Sequence, residues 1–495
     1  MKEKTVPQRT KDDSQRAKTS LDRRRNVINI WLVTISFVAL FIVMSVYICR
    51  FVATNEKELI NNSYNSRQQI LLSRNYRGNI ISGDGHILAK TEFLDDGTEQ
   101  RVYPYSNMFS HVVGFSTQGK MGIEALANYY LINTNISVGK KVANDVAGVK
   151  NPGDNVYTTL NYAIQEEADR QLGYYKGAII VSEPKTGKIL AMVSHPGFDP
   201  NEISDVWNEL VEDDNSSVLL NRATQGLYPP GSTFKIITAL EYIRENPDTY
   251  SKYSYQCNGS FSYGNDKIRC YHGTNHGSLD FTKSFAKSCN SSFANIGLKL
   301  DRDKFANTLG ELMFGEELPL PFVSATSSVH IPAVGEDFGD MMQTSIGQGR
   351  TQITPIHLNM ITCAIANDGI IMKPYLLDRI KSADGSYTKT FKGETYKRVM
   401  SESEAEALQK LMTEVVLSGT GTKLNGQAYT AAGKTGSAEY NSYKGDSHAW
   451  FTGFAPAEDP QVCVTIIMEG AGNGGDFAVP LAKRIFDVYF ERVNQ

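Results

Sequence analysis

Nineteen consecutive residues without a charge, Ile30 to Ile48, constrain this chain more than any other stretch. Their only clearly polar members are Thr34, Ser36 and Ser45. At 1.5 Å per residue, a helix of that length covers roughly 28 Å, about one hydrocarbon core. A buried core helix is the competing reading, but the run is long and Arg23-Arg24-Arg25 precedes it. A cleaved signal peptide fits poorly, because no small-x-small site follows Ile48-Cys49-Arg50-Phe51. Ile48 before Cys49 also argues against lipoprotein processing. The reading is a single anchor over 26–50. Residues 1–25 carry nine Lys/Arg (Lys2, Lys4, Arg9, Lys11, Arg16, Lys18, Arg23, Arg24, Arg25) against four acids. The positive-inside rule keeps that tail in the cytoplasm and places everything beyond residue 50 outside it.

The 495 residues suffice for two or three domains, and 41% hydrophobic with 21% charged residues is ordinary globular composition. A net charge of −4 gives no reason to expect nucleic acid as a partner. Residues 51–75 are polar with helical spacing and read as a stalk. Alternating apolar residues around Gly83-Asp84-Gly85 predict a hairpin, followed by a helix to about Leu131, so 51–150 reads as a small mixed module. Lys150-Asn151-Pro152-Gly153-Asp154 looks like a boundary. Beyond it, 151–495 begins with a strand at Asn155–Leu160, a helix at Tyr162–Leu172 and strands at Ala178–Ser182 and Ile189–Ser194. It ends with strands near Tyr429–Glu439, Ala449–Phe454 and Val462–Glu469, then a helix from Phe477. The middle reads as mainly helical. This pattern predicts an α+β domain with one antiparallel sheet and a helical subdomain beside it.

Within that domain, Pro229-Pro230-Gly231 stops one segment and Ser232-Thr233-Phe234-Lys235 opens an apolar helical run, with Ser232 at the cap or first turn. Positions i and i+3 share a helix face, so Ser232 and Lys235 can touch. A serine hydroxyl becomes a nucleophile when a neighbour takes its proton. Lysine does so only when neutral, which at pH 7 costs roughly 4–5 kcal/mol from its free value. A working site must therefore bury this lysine or set a second positive charge beside it. A capped helix with a solvated lysine is the ordinary reading of an isolated Ser-x-x-Lys. Two further motifs shift the balance. Ser288-Cys289-Asn290 can present a hydroxyl for proton relay and an amide to hold a peptide carbonyl, although a polar turn has the same composition. Lys434-Thr435-Gly436-Ser437 sits on a predicted strand. Its lysine supplies a second positive charge, its hydroxyls can hold a carboxylate, and Gly436 lets a peptide lie close along the strand. A nucleotide-binding P-loop would need glycine at 428, where Ala428 stands.

Taken in order, Ser232-Thr233-Phe234-Lys235, Ser288-Cys289-Asn290 and Lys434-Thr435-Gly436 resemble the three motifs of penicillin-binding proteins and serine β-lactamases. Ser345-Ile346-Gly347-Gln348-Gly349, Thr354-Pro355 and His448 to Pro456 extend the likeness. Arg77-Gly78, Asp84-Gly85 and Gly122-Ile123-Glu124 resemble the N-terminal module of class B members, so the likeness covers about 76–495. It implies a peptidoglycan D,D-transpeptidase. Ser232 would attack the penultimate D-Ala carbonyl of a stem peptide ending in D-Ala-D-Ala, with Lys235 as general base. Ser288 would relay the proton and Asn290 would position the substrate amide. Lys434 would give electrostatic support, with Thr435 and Ser437 on the terminal carboxylate and the N–H groups of Ser232 and Ser437 as oxyanion hole. β-Lactams would acylate Ser232. The likeness further implies no metal or nucleotide cofactor, and a RodA/FtsW-type glycosyltransferase as partner at the bacterial cell membrane. Ser437 stands where many relatives carry threonine. The alternatives are a D,D-carboxypeptidase or β-lactamase on the same fold, or a non-catalytic scaffold for the polymerase.

Of the six cysteines, Cys257 and Cys270, with His272 and His276 close behind, invite a zinc reading. No C-x-x-C knuckle is present, so a Cys257–Cys270 disulfide is preferred outside the membrane. Cys289 is expected to be buried behind the site, and His448 to be structural.

Overall fold

A computed structural model of the chain describes residues 11–61, 67–212, 217–333, 335, 337–441 and 446–493. It divides into two units, Met1–Gln68 and Gln69–Gln495. The first holds one helix, Lys11–Asn61, in which Arg23–Phe51 is long and apolar enough to cross a membrane, with a mean hydropathy of 2.6. The hydroxyls of Thr34 and Ser36 donate to the carbonyls of Ile30 and Leu32 one turn back, each at 2.8 Å. These polar groups are thus satisfied within the helix, as an apolar solvent demands. The expected stalk is helical to Asn61 and again over Arg67–Arg74, while 62–66 lie outside the described residues.

The second unit is α+β. Its main sheet is antiparallel throughout, in the order Ala432–Asn441, Asp446–Ala455, Val462–Met468, Gly177–Ser182, Ile189–His195. The Gly177–Ser182 and Val462–Met468 strands are buried along their whole length. That is why they read as continuous apolar runs rather than alternating ones. Successive side chains still part to opposite faces. Ile179 and Val181 join Val464 and Ile466 in a core with the helices Tyr162–Leu172 and Ala478–Val488. Ala178 and Ile180 face the other core, which contains Ile356 and Ile361 of the helix Pro355–Ala366 and Ile236 and Leu240 of the nucleophile helix. Each such aliphatic side chain contributes about 1.5–3 kcal/mol on full burial.

Two features depart from the sequence reading. The Asn155–Thr158 strand does not open the main sheet. It lies in a second, six-stranded sheet, parallel to Ile80–Ile81 and antiparallel to Leu377–Lys381. Pairing partners are set by tertiary packing, and alternation within one strand does not encode them. This second sheet therefore runs across the composition break at 150–154. Gly78 fits against that break, where a Cβ would stand 2.1 Å from the carbonyl oxygen of Asp154. The helical middle also holds two hairpins. Ser254–Cys257 pairs with Gly277–Asp280, and Ser260–Tyr263 with Asp266–Arg269. Four-residue strands give too few alternations to register as such.

The 76–150 segment is organised on Glu124, fully buried, whose carboxylate accepts from Arg77 Nε at 3.1 Å and Arg101 Nε at 2.7 Å. Removing one member of a buried ion cluster leaves the others uncompensated. Glu124→Ala is expected to cost about 3–5 kcal/mol, read as a lower urea midpoint of the full-length chain in detergent. A midpoint equal to wild type would refute this role.

Candidate active site

Gly231 has φ +53°, and a Cβ there would stand 2.9 Å from Ser437 O, so glycine alone lets the turn press against the motif strand. Gly231–Phe234 form a 3₁₀ turn that enters the α-helix Lys235–Glu245. Ser232 lies in this first turn, and no side-chain cap bond is made at either N-terminus. The i and i+3 positions of a 3₁₀ turn eclipse, and Lys235 Nζ stands 3.0 Å from Ser232 Oγ. The lysine is fully buried, with Nζ 5.6 Å from the Phe293 ring centroid. It donates to Ser288 O at 2.7 Å and Asn290 Oδ1 at 2.7 Å, and Ser288 Oγ lies 3.2 Å away. Burial drives its pKa from 10.5 down to about 7.

The Ser288-Cys289-Asn290 turn joins two helices, Phe281–Ala286 and Asn290–Gly297. Ser288 takes φ +54°, a left-handed conformation that a non-glycine residue adopts only when its surroundings enforce it. Ser288 N donates to Phe285 O at 3.0 Å, and Cys289 caps the second helix, its sulfur accepting from Ser292 N at 3.4 Å. Asn290 Nδ2 donates to Arg269 O at 3.0 Å. These bonds aim one carbonyl, one hydroxyl and one amide oxygen at Lys235.

The Ala432–Asn441 strand is an edge of the main sheet, so its outer side can accept an added peptide strand. Lys434, also fully buried, donates to Ser288 Oγ at 2.9 Å and Thr435 O at 3.1 Å. Burial first, then the charge of Lys235, hold it well below its ordinary value. At Gly436 a Cβ would meet Pro230 O, Thr233 Cγ2 and Trp450 Cβ, each at 3.0 Å. Ser437 Oγ accepts from Gly474 N at 3.3 Å. Ser232, Ser288, Asn290, Thr435 and Ser437 line one cleft of about 1370 Å³. Lys235 and Lys434 are buried and bonded to its lining residues. The structure thus brings all eight motif residues together.

The sequence reading missed Thr420 and Asn473 and gave Gln348 no role beyond its place in the likeness, and all three line the same cleft. Thr420 Oγ1 lies 2.5 Å from Thr435 Oγ1, and its N–H donates to Ala286 O at 3.2 Å. A Gly419-Thr420-Gly421 turn is the only signal the sequence offers for it. His448 is structural, its Nδ1 accepting from Gly470 N at 3.1 Å. The Cys257–Cys270 disulfide, which the sequence only favours over a metal, is not formed. All six cysteines are free, and these two sulfurs lie 3.7 Å apart.

A neutral amine has two N–H groups and one lone pair. Here Ser288 O and Asn290 Oδ1 accept the two N–H groups, which leaves the lone pair for the Ser232 hydroxyl. The arrangement can therefore take a proton from Ser232 and pass it along Ser288 Oγ.

Residues 177–487 match the family model described as the penicillin binding protein transpeptidase domain, and 77–156 that of the penicillin binding protein A dimerisation domain. The chain is 32% identical to the peptidoglycan D,D-transpeptidase PbpA of Mycolicibacterium smegmatis, over 84% of this chain and 90% of that protein. The crystal structure of penicillin-binding protein A from M. tuberculosis as an imipenem acyl-enzyme superposes with a TM-score of 0.75 and 29% identity, over 84% of this chain and 99% of that one. The D,D-transpeptidase domain of a peptidoglycan glycosyltransferase from Eggerthella lenta gives a TM-score of 0.75 at 31% identity, over 84% and 99%.

Proposed function

This chain belongs to the penicillin-binding protein transpeptidase family, and from that premise we propose that it is a peptidoglycan D,D-transpeptidase acting through an acyl-enzyme on Ser232. The observation that carries the reading is a fully buried Lys235 held 3.0 Å from Ser232 Oγ with its two N–H groups engaged elsewhere. Lys235 takes the proton as Ser232 attacks the penultimate D-Ala carbonyl, and terminal D-Ala leaves with a proton relayed by Ser288. Asn290 orients the substrate amide. The substrate lies along the free edge of Ala432–Asn441, which Gly436 lets pack close to Pro230, Thr233 and Trp450, with its carboxylate at Thr435 and Ser437 near Lys434. The N–H groups of Ser232 and Ser437 form the oxyanion hole, each donor lowering the barrier by about 3–4 kcal/mol. A stem-peptide amine then takes the acyl group, and β-lactams acylate the same serine.

The proposal extends to the whole chain. A cytoplasmic tail (1–25) and one membrane anchor (26–50) precede a non-catalytic module (51–150) and the transpeptidase domain (151–495), both outside the cytoplasm. A RodA/FtsW-type glycan polymerase is the expected membrane partner. The test is to supply the full-length chain in detergent with uncross-linked glycan bearing pentapeptide stems. Cross-linked dimers with released D-Ala are expected. D-Ala release without dimers would make the chain a carboxypeptidase, and neither product would leave a scaffold.

A further inference from the structure

Behind the Ser288-Cys289-Asn290 turn, three sulfurs and one imidazole nitrogen converge. Cys257 Sγ and Cys270 Sγ are 3.7 Å apart, Cys270 Sγ and Cys289 Sγ are 3.7 Å apart, and His276 Nδ1 is 3.5 Å from Cys257 Sγ. All four donor atoms lie within 4.8 Å of one another. A tetrahedral ion bound at about 2.3 Å to sulfur and 2.0–2.1 Å to nitrogen sets its ligand atoms about 3.5–3.8 Å apart. A disulfide would instead bring two sulfurs to about 2.05 Å and leave the third without a partner.

The surroundings fit a metal–thiolate site. Cys257, Cys270 and Cys289 are buried and His276 is half-buried. The cysteine sulfurs accept backbone N–H groups, Gly259 N on Cys257 and Ser292 N on Cys289, each at 3.4 Å. Such N–H donors orient and stabilise metal-bound sulfur. Gly259, at φ +90°, makes the turn, and a Cβ there would stand 2.5 Å from Gly273 O. The ligands come from different elements. They end the Ser254–Cys257 strand, follow the Asp266–Arg269 strand, precede the Gly277–Asp280 strand and cap the Asn290–Gly297 helix.

We propose that Cys257, Cys270 and Cys289, as thiolates, and His276 through Nδ1 bind one zinc ion. Three soft sulfurs and an imidazole in a tetrahedron select zinc among common divalent ions. Four protein ligands leave no open position, so the ion is structural. Its role follows from Cys289, which stands between the two residues that hold Lys235. The ion fastens their turn to the paired hairpins whose Arg269 carbonyl accepts from Asn290 at 3.0 Å.

The test uses the full-length chain, purified in detergent under reducing conditions. Elemental analysis is expected to find about one zinc per chain, falling to below about a tenth in Cys257→Ser and His276→Ala, while Cys49→Ser keeps it. Cobalt(II) added to metal-free wild type, which needs no variant to fold, is expected to give the intense visible bands of a tetrahedral cobalt–thiolate centre. Absence of those bands from fully reduced protein would overturn the site, as would a Cys257–Cys270 disulfide in protein taken from membranes without reductant. The metal readout is independent of Ser232. Cobalt bands in a chain that fails to acylate would leave the site standing and remove the transpeptidase reading.

Discussion

Lys235→Met is expected to lower the rate of acylation by benzylpenicillin roughly 10²–10⁴-fold, the usual contribution of a positioned general base. Methionine keeps the length and apolar contacts of the lysine but can take no proton. Ser232, which lines the cleft, would then lose its hydroxyl proton only to water, a far weaker base. The wild-type rate has a direction with pH. The folded pKa of Lys235 lies near 7, lowered from 10.5 by burial, so the neutral, competent form predominates above 7. Acylation should fall as pH drops through that value, by about tenfold per unit well below it, and level off above. Labelling with a fluorescent penicillin across pH, wild type beside variant, checks both statements. An unchanged rate in Lys235→Met would remove the lysine from the base role.

The second large effect is at Lys434. Its Nζ donates to Ser288 Oγ at 2.9 Å, while Lys235 Nζ lies 3.2 Å from the same oxygen. Two buried ammonium groups so placed repel, and burial with the charge of Lys235 holds Lys434 well below its ordinary value. Lys434 also faces the carboxylate end of the proposed substrate. Lys434→Ala removes the donor to Ser288 Oγ and the partner of the substrate carboxylate, and acylation is expected to slow by about 10²–10³-fold, the range seen when one electrostatic donor is lost. The pH midpoint should stay near 7, because burial, and not Lys434, lowers Lys235 to that value. A midpoint moved upward would instead show that a charge on Lys434 keeps Lys235 neutral, and an unchanged rate would remove Lys434 from the site.

The site was more legible than the fold around it, for physical reasons. A nucleophile and a base three residues apart on a helix must meet, so Ser232 and Lys235 follow from spacing. Gly436 reads from sequence as room for a peptide alongside, whereas its missing Cβ lets the strand close on Pro230, Thr233 and Trp450. The apolar strands Gly177–Ser182 and Val462–Met468 announce themselves because both faces are covered. The partner of Asn155–Thr158 could not be read, since Leu377–Lys381 lies more than 200 residues away and nothing in either strand names the other. Thr420 escaped for a similar reason, because a short glycine-flanked turn carries no chemistry until it meets Thr435. The four donors at Cys257, Cys270, His276 and Cys289 span three turns and a helix cap. Cys257, Cys270 and His276 invite a zinc reading from their spacing, but Cys289 looks like a separate small hydrophobe until the fold brings it to them.

The most direct test of the nucleophile assignment is the intact mass of the full-length chain in detergent after incubation with benzylpenicillin, beside Ser232→Ala. One stable penicillin adduct per wild-type chain and none on the variant is the result expected of that assignment. An adduct that persists in Ser232→Ala would contradict it, as would a folded wild-type chain that forms no adduct and hydrolyses no penicillin.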